Sequence, residues 1–156
     1  MRTFLAAAAL LSACVLAHAQ DALVGNWKLL SFYTEDTQTG QRTNTYGERP
    51  TGAIGFTPQG RFFAFATADA RKPAQSVEDQ ALAYRTAIAY TGRWRVEGER
   101  FITQVDVAVN PAMVGSEQVR FWRIQSDRLL VTTAPLPDPN KPGATLVGTL
   151  VWERER

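Results

Sequence analysis

The stretch LVGNWKLLSF, residues 23–32, opens the first of a series of short β-rich runs in this 156-residue chain. Turn residues separate the runs at intervals of roughly 8–12 residues, which is typical of a β-sandwich or a β-barrel. No repeat, low-complexity tract or linker rich in proline and serine divides the chain after this point. We therefore expect one all-β domain.

The later runs pair as hairpins around short turns. They are TGAIGF and RFFAFAT around TPQG, TGRWRV and RFITQVDVAV around EGE, and SEQVRFWRI and RLLVTTA around QSD. Pro58 and Gly60 occupy the positions that a type I turn prefers for these residue types. The run ATLVGTLVWERE closes the chain. With a further short strand near residues 42–46, the count is eight or nine strands.

A sheet of this size must protect its two edges, and closure into a barrel is a common solution. The first and last strands are the longest and most apolar, so we expect them to pair with each other and close the sheet. The predicted fold is an antiparallel eight- to nine-stranded barrel. An eight-stranded barrel has an interior just wide enough for side chains or one small ligand.

One segment, at about residues 76–90, has the pattern of a helix inserted among the strands. Ser76 is a candidate N-cap, and Glu78 and Asp79 fall in the first turn, where acidic side chains stabilise a helix. Apolar residues recur at helical spacing along one narrow stripe, namely Val77, Ala81, Tyr84 and Ile88. Two interpretations are open: the stripe packs onto the core, or the helix is a lid over a ligand.

Residues 1–19 have the three parts of a secretory signal peptide. Arg2 is the positive start, an apolar run follows, and Ala17 and Ala19 are small residues at the positions that precede a cleavage site. The alternative is lipidation, because the residues up to Cys14 resemble a bacterial lipobox. Either signal predicts a periplasmic or secreted protein, and residues 20–156 form the folded domain. No segment is long enough to span a membrane, although a lipid anchor at Cys14 remains open.

The composition excludes several classes of site. The chain has one histidine, His18, and one cysteine, Cys14, and both precede the folded domain. That domain therefore cannot hold a histidine- or cysteine-based catalytic site, a zinc site of that type, or a disulfide. The formal net charge is only +2 with no basic cluster, so nucleic acid is not an expected partner. No P-loop or Rossmann motif is present, and we predict no cofactor and no metal.

Gly25, Asn26 and Trp27 resemble the Gly-x-Trp signature of lipocalins, and the chain after residue 22 resembles the bacterial lipocalin-like domain family throughout. The matching pieces occur in order: LVGNWKLLSF, YGERPTGAIGFTPQGRFFA, YRTAIAYTGRWRVEGERFIT, NPAMVGSEQVRFWRIQSDRLLVTT and LVWERER. The Thr-Asp-Tyr motif and the disulfides of true lipocalins are missing.

The resemblance implies a calyx-like barrel that binds a small, mostly apolar molecule. It also implies that Trp27 closes one end of the barrel beneath an arginine of the last strand, for which Arg154 is the candidate. The apolar face of the run RFITQVDVAV is the expected interior. We predict a pocket lined by Phe63, Phe65, Tyr84, Phe101, Val105, Val107 and Trp122. A ligand-carrying barrel of this kind should hold a cavity of roughly 300 Å³ or more.

Two other functions are open. A metal-free isomerase or cyclase would need a carboxylate or tyrosine in the lumen, and Asp106 and Glu117 are the candidates, although alternation favours a solvated Asp106. We therefore assign no catalytic residue. Arg120 shares a face with Gln118 and Trp122, and a cation on an inward face would need a ligand group or a buried partner. A structural or interaction module of the cell envelope would instead expose an apolar patch.

Overall fold

The computed structural model of the chain describes residues 20–138 and 141–156. The predicted signal peptide, with Cys14 and His18, lies outside the described residues.

Ten strands, one α-helix and one 3₁₀ turn make up the described domain, which opens with a helical turn at residues 20–23. The elements are β1 (Gly25–Asp36), β2 (Arg42–Asn44), β3 (Thr51–Phe56), β4 (Arg61–Thr67), α1 (Val77–Arg85), β5 (Ala87–Glu97), β6 (Arg100–Ala108), the 3₁₀ turn (Pro111–Met113), β7 (Glu117–Gln125), β8 (Arg128–Thr132), β9 (Leu136–Pro137) and β10 (Thr145–Arg154).

Eight of these strands close into an antiparallel barrel, as the sequence predicts. Their order around the barrel is β1, β3, β4, β5, β6, β7, β8 and β10, and β10 pairs back onto β1. The register of this closing pair runs from Trp27 opposite Arg154 to Asp36 opposite Leu146. The predicted strand near residues 42–46 is β2, which extends β1, while the two-residue β9 pairs with β10.

The helix is shorter than predicted. It begins after Ser76, whose side chain accepts a hydrogen bond from the Asp79 backbone N–H, and it ends at Arg85. The following residues belong to β5, because Ile88 and Tyr90 pair with β4 and turn toward the barrel interior. None of the helix residues is buried. The expectation that its apolar stripe packs onto the core is therefore wrong.

One end of the barrel is closed by Trp27, which is fully buried. Its indole N–H donates to the Leu23 carbonyl at 2.9 Å, and the Arg154 guanidinium lies 4.0 Å from the centre of its ring. Arg154 also donates to the carbonyls of Val24 (2.8 Å) and Ala22 (2.6 Å). Arg154 therefore joins the last strand to the residues that precede β1.

Replacing this arginine tests how much the closed end contributes to stability. We expect Arg154→Ala to lower the free energy of unfolding by about 1 kcal/mol, because a partly exposed cation–π contact and the bonds to both carbonyls are lost. Urea unfolding measures the difference. Arg123→Ala is the control, because Arg123 is exposed on β7 and forms no ion pair with a described residue. Equal effects of the two substitutions would contradict a closing role for Arg154.

Candidate functional site

The barrel interior contains a cavity of about 90 Å³ in the half away from Trp27. Every barrel strand contributes to its wall. The lining residues are Phe32, Ile54, Phe62, Ala64, Ala66, Ile88, Tyr90, Phe101, Arg120, Val131, Thr133, Leu150 and Trp152. Ala64 and Ala66 on β4 leave room because their side chains are small. The lining is thus mostly apolar, and its polar groups belong to Tyr90, Arg120, Thr133 and the indole of Trp152.

Aromatic rings fill the other half of the interior. Phe56 lies at their centre, with its ring 4.8 Å from that of Trp94, 4.9 Å from that of Phe62 and 5.1 Å from that of Phe101. These tilted and edge-on arrangements are the geometry that aromatic pairs favour. The rings thereby form a packed floor beneath the cavity.

The cavity is smaller than the sequence-based expectation of roughly 300 Å³, and that expectation is wrong for this conformation. It is also smaller than the apolar cavity of ~150 Å³ that accepts benzene in another protein. The difference arises from the aromatic floor, which occupies the lower half of the barrel. A ligand therefore has to be small, or it has to extend out of the open end.

Three of the predicted lining residues lie inside the barrel. Phe101 contacts the cavity directly. Val105 is buried in the core cluster, and Trp122 packs against that cluster from β7. Neither of these two side chains lines the cavity itself.

The placement of Phe63 and Phe65 inside the barrel is wrong. Both faces of β4 are aromatic or small, and the structure turns Phe62, Ala64 and Ala66 inward. Phe65 lies on the outer surface and is 55% exposed. Phe63 lies against Gly55 on the same outer face, where a side chain on Gly55 would collide with the ring.

A β-bulge explains why Val107 is also outside. Thr91 pairs with Val107, and the next residue, Gly92, pairs with Val105, so Asp106 has no partner on β5. An extra residue of this kind reverses the alternation beyond it. Val107 therefore points outward and is 59% exposed. Gly92 is needed at this point, because a Cβ there would lie 2.1 Å from the Gln104 carbonyl oxygen.

Tyr84 lies near the open end but outside the cavity. It shares a surface cleft of about 210 Å³ with Tyr46, Ile88 and Met113. Ile88 also lines the inner cavity, so its side chain separates the two spaces.

A segment that we call the mouth strap, residues 45–49, packs against the wall of the cavity at the open end. Its Tyr46 is buried, and the ring contacts Phe32 edge-on at 5.0 Å between centres. Asp69 anchors the strap: its carboxylate accepts from the backbone N–H groups of Glu48 (2.9 Å) and Arg49 (3.2 Å), and its own N–H donates to the Tyr46 carbonyl (2.9 Å). A single side chain thus holds the turn that places Tyr46.

The polar side chains of Tyr90 on β5 and Arg120 on β7 face the cavity from the same side of the barrel, with only β6 between their strands. Burial raises the pKa of the Tyr90 hydroxyl, and the positive charge of Arg120 partly offsets that rise. Tyr90 is therefore protonated at neutral pH and can donate a hydrogen bond.

The candidate acids for an enzyme lie outside the barrel. Asp106 forms a two-bonded ion pair with Arg61, with N–O distances of 2.5 and 2.9 Å, and Glu117 pairs with Arg95 at 3.0 Å. Neither carboxylate lines the cavity. Within residues 20–138 and 141–156 no group of three or more acidic, histidine or cysteine side chains is placed to hold a metal ion. No helix in the same residues is both long and apolar enough to cross a membrane.

The barrel, its Trp27–Arg154 closed end and its internal cavity define a lipocalin-type architecture. The family described as "Lipocalin-like domain" matches residues 24–155, and the chain belongs to that family. A solved structure described as EF1p2_mFAP2b bound to DFHBI is similar in fold, with a TM-score of 0.47 and 14% identity over 90% of this chain and 99% of that one. No curated protein shows significant sequence similarity to the chain.

The position of the strap can be tested at Gly47, whose φ of +80° favours glycine and where a Cβ would lie 2.1 Å from the Asp69 carboxylate. We expect Gly47→Ala to displace the strap and to speed hydrogen–deuterium exchange in residues 45–49 by roughly tenfold, since local opening becomes easier. Gly143→Ala is the control, because Gly143 has a φ of +83° but open space around its Cβ. Equal exchange of the strap in both variants would show that Asp69 does not anchor it.

Proposed function

We propose that this protein binds a small, mostly apolar molecule in the open-end half of its barrel. The observation that carries the proposal is the cavity, which is closed on one side by aromatic rings and lined by apolar side chains with few polar groups. Ligand sites are typically concave, apolar and largely preformed, and they hold a small number of placed polar groups.

The two ends of the barrel support this proposal in different ways. The closed end is filled by large aromatic side chains that contact one another. At the open end, small residues on β4 leave space, and the strap that packs against the cavity wall is held by hydrogen bonds to Asp69. Regions that open for a ligand are drawn from the less stable parts of a fold. Ligand entry beneath the strap is therefore the simplest route.

A test uses benzene as the probe and backbone amide chemical shifts as the signal. Because the cavity is smaller than one known to accept benzene, we expect the ring to extend toward the open end, and we expect it to shift the amides of Ala64 and Ala66 in a saturable way. Ala64→Leu fills the cavity and should weaken this binding by about tenfold or more, since well-packed interiors tolerate little added volume. Ala53→Leu is the matched control, because Ala53 pairs with Phe65 on the outer face. Shifts that persist unchanged in Ala64→Leu would show that the probe binds elsewhere.

Export is a second, separate proposal, and it is supported by the sequence of residues 1–19 alone. We infer a signal peptide that is cut before Gln20, with lipidation at Cys14 as the alternative. The intact mass of the protein isolated from its own cells distinguishes the two. A mass that starts at Gln20 supports cleavage, a mass that starts at Cys14 with acyl chains supports a lipoprotein, and a mass that includes residues 1–13 contradicts both.

A further inference from the structure

Arg120 places a positive charge at the wall of the cavity. It lies opposite Phe101 in the register of β6 and β7, and Phe101 is buried in the core, so both side chains share the inward face. Arg120 is also the one charged residue among those that line the cavity. The cation therefore faces apolar side chains and the space between them.

The hydrogen-bond partners of Arg120 in the described structure are all neutral. Its Nη1 donates to the Val119 carbonyl at 2.8 Å, and its Nη2 donates to the Gln118 side-chain oxygen at 3.0 Å. The Gln118 amide in turn donates to Ser116 Oγ at 2.9 Å. This chain of bonds orients the guanidinium but does not balance its charge.

No carboxylate of residues 20–138 or 141–156 forms an ion pair with Arg120. The contrast with Arg61 and Arg95 is clear, since each of these arginines has a carboxylate partner on the outer surface. A partly buried charge is costly unless it is paired. The fold thus retains an unbalanced cation at the wall of the cavity.

The other polar groups around the cavity are also available as donors. Thr133 Oγ1 already accepts a bond from the Gly148 backbone N–H at 3.0 Å, which leaves its hydrogen to be donated. The indole N–H of Trp152 is buried and has no partner in the described structure. The Tyr90 hydroxyl completes the set. A ligand that meets these groups must present acceptor oxygens.

We propose that the cavity binds a small monocarboxylate, with the carboxylate on Arg120 and a short apolar part against β4. This inference rests on the proposed function, because it names the class of ligand for the same cavity. One guanidinium matches one carboxylate in both charge and planar geometry. The apolar remainder of the wall, with Ala64 and Ala66, suits a short hydrocarbon chain.

Butyrate and butyramide are the matched probes, since they have the same shape and differ in charge. Titrations followed by the amide shifts of Ala64 and Ala66 give both affinities at pH 7. We expect the unmodified protein to bind butyrate about tenfold more tightly than butyramide, because hydrogen bonds between charged groups are the stronger ones.

Substitutions on β7 assign the preference to Arg120. Arg120→Met should abolish the preference for butyrate while butyramide binding changes little, and Arg120→Lys should retain part of it. Arg123→Met is the matched control, because Arg123 is exposed three residues further along the same strand. Loss of the butyrate preference in Arg123→Met would overturn the inference, because the preference would then arise from the general surface charge and not from Arg120.

The outcomes separate this inference from the proposed function. If benzene shifts the cavity amides but butyrate has no advantage over butyramide, the carboxylate inference fails and cavity binding stands. If none of the three probes shifts these amides, both fail.

A stability measurement separates a binding role from a structural one. We expect the urea midpoint of Arg120→Met to equal or exceed that of the unmodified protein, because the substitution removes an unbalanced charge. A lower midpoint combined with an intact butyrate preference would show that Arg120 is structural and would overturn the inference.

Discussion

The pairing of the first strand with the last is the constraint on which the rest of the structure depends. Nine residue pairs align β1 with β10 along nearly their whole length, from the Trp27 end to the Asp36 end. Without this pairing the sheet would have two open edges and no enclosed interior. Trp27 would then not be buried, and the cavity would not form. The same register brings the Arg154 guanidinium over the Trp27 ring. The same pair of strands therefore closes both the sheet and one end of the barrel.

The barrel interior is divided between a half packed with aromatic rings and a half that contains the cavity. The half near Trp27 is packed with rings whose centres lie about 5 Å apart, and these rings belong to the hydrophobic core. The other half substitutes alanines for rings on β4 and places polar groups at the wall. Because the rings and the cavity occupy different levels of the barrel, the ligand that we propose would not disturb the aromatic floor. A single strand contributes to both halves of the interior. On β4, Phe62 packs against the ring of Phe56, and Ala66 lines the cavity.

Much of this fold could be predicted from the sequence, because hairpin turns and strand runs are local signals. The closing pair was predictable from the length and apolar character of the terminal strands. The end of the helix was not predictable, because Ile88 fits a helical stripe as well as a strand, and only pairing with β4 decides between them.

The candidate site was less predictable, because alternation separates two faces without saying which one is inside. On β4 both faces carry phenylalanine, so the sequence could not distinguish Phe62 from Phe63. Alternation along β7 places Arg120 on the same face as Gln118 and Trp122, but it does not say whether that face or the face of Glu117 is inward. The sequence also could not show that Arg120 lacks a carboxylate partner, because such a partner could come from any neighbouring strand.

The bulge at Asp106 separates the length of β6 from the lining of the barrel. Strict alternation from Val105 would turn Val107 inward, and the extra position at Asp106 turns it outward instead. Loss of the Asp106 codon would restore a regular ladder without turning either neighbour, because Val107 would still pair with Thr91 and Ala108 with Tyr90. A family with this architecture could therefore gain or lose a residue at this point in β6 while the lumen keeps the same side chains.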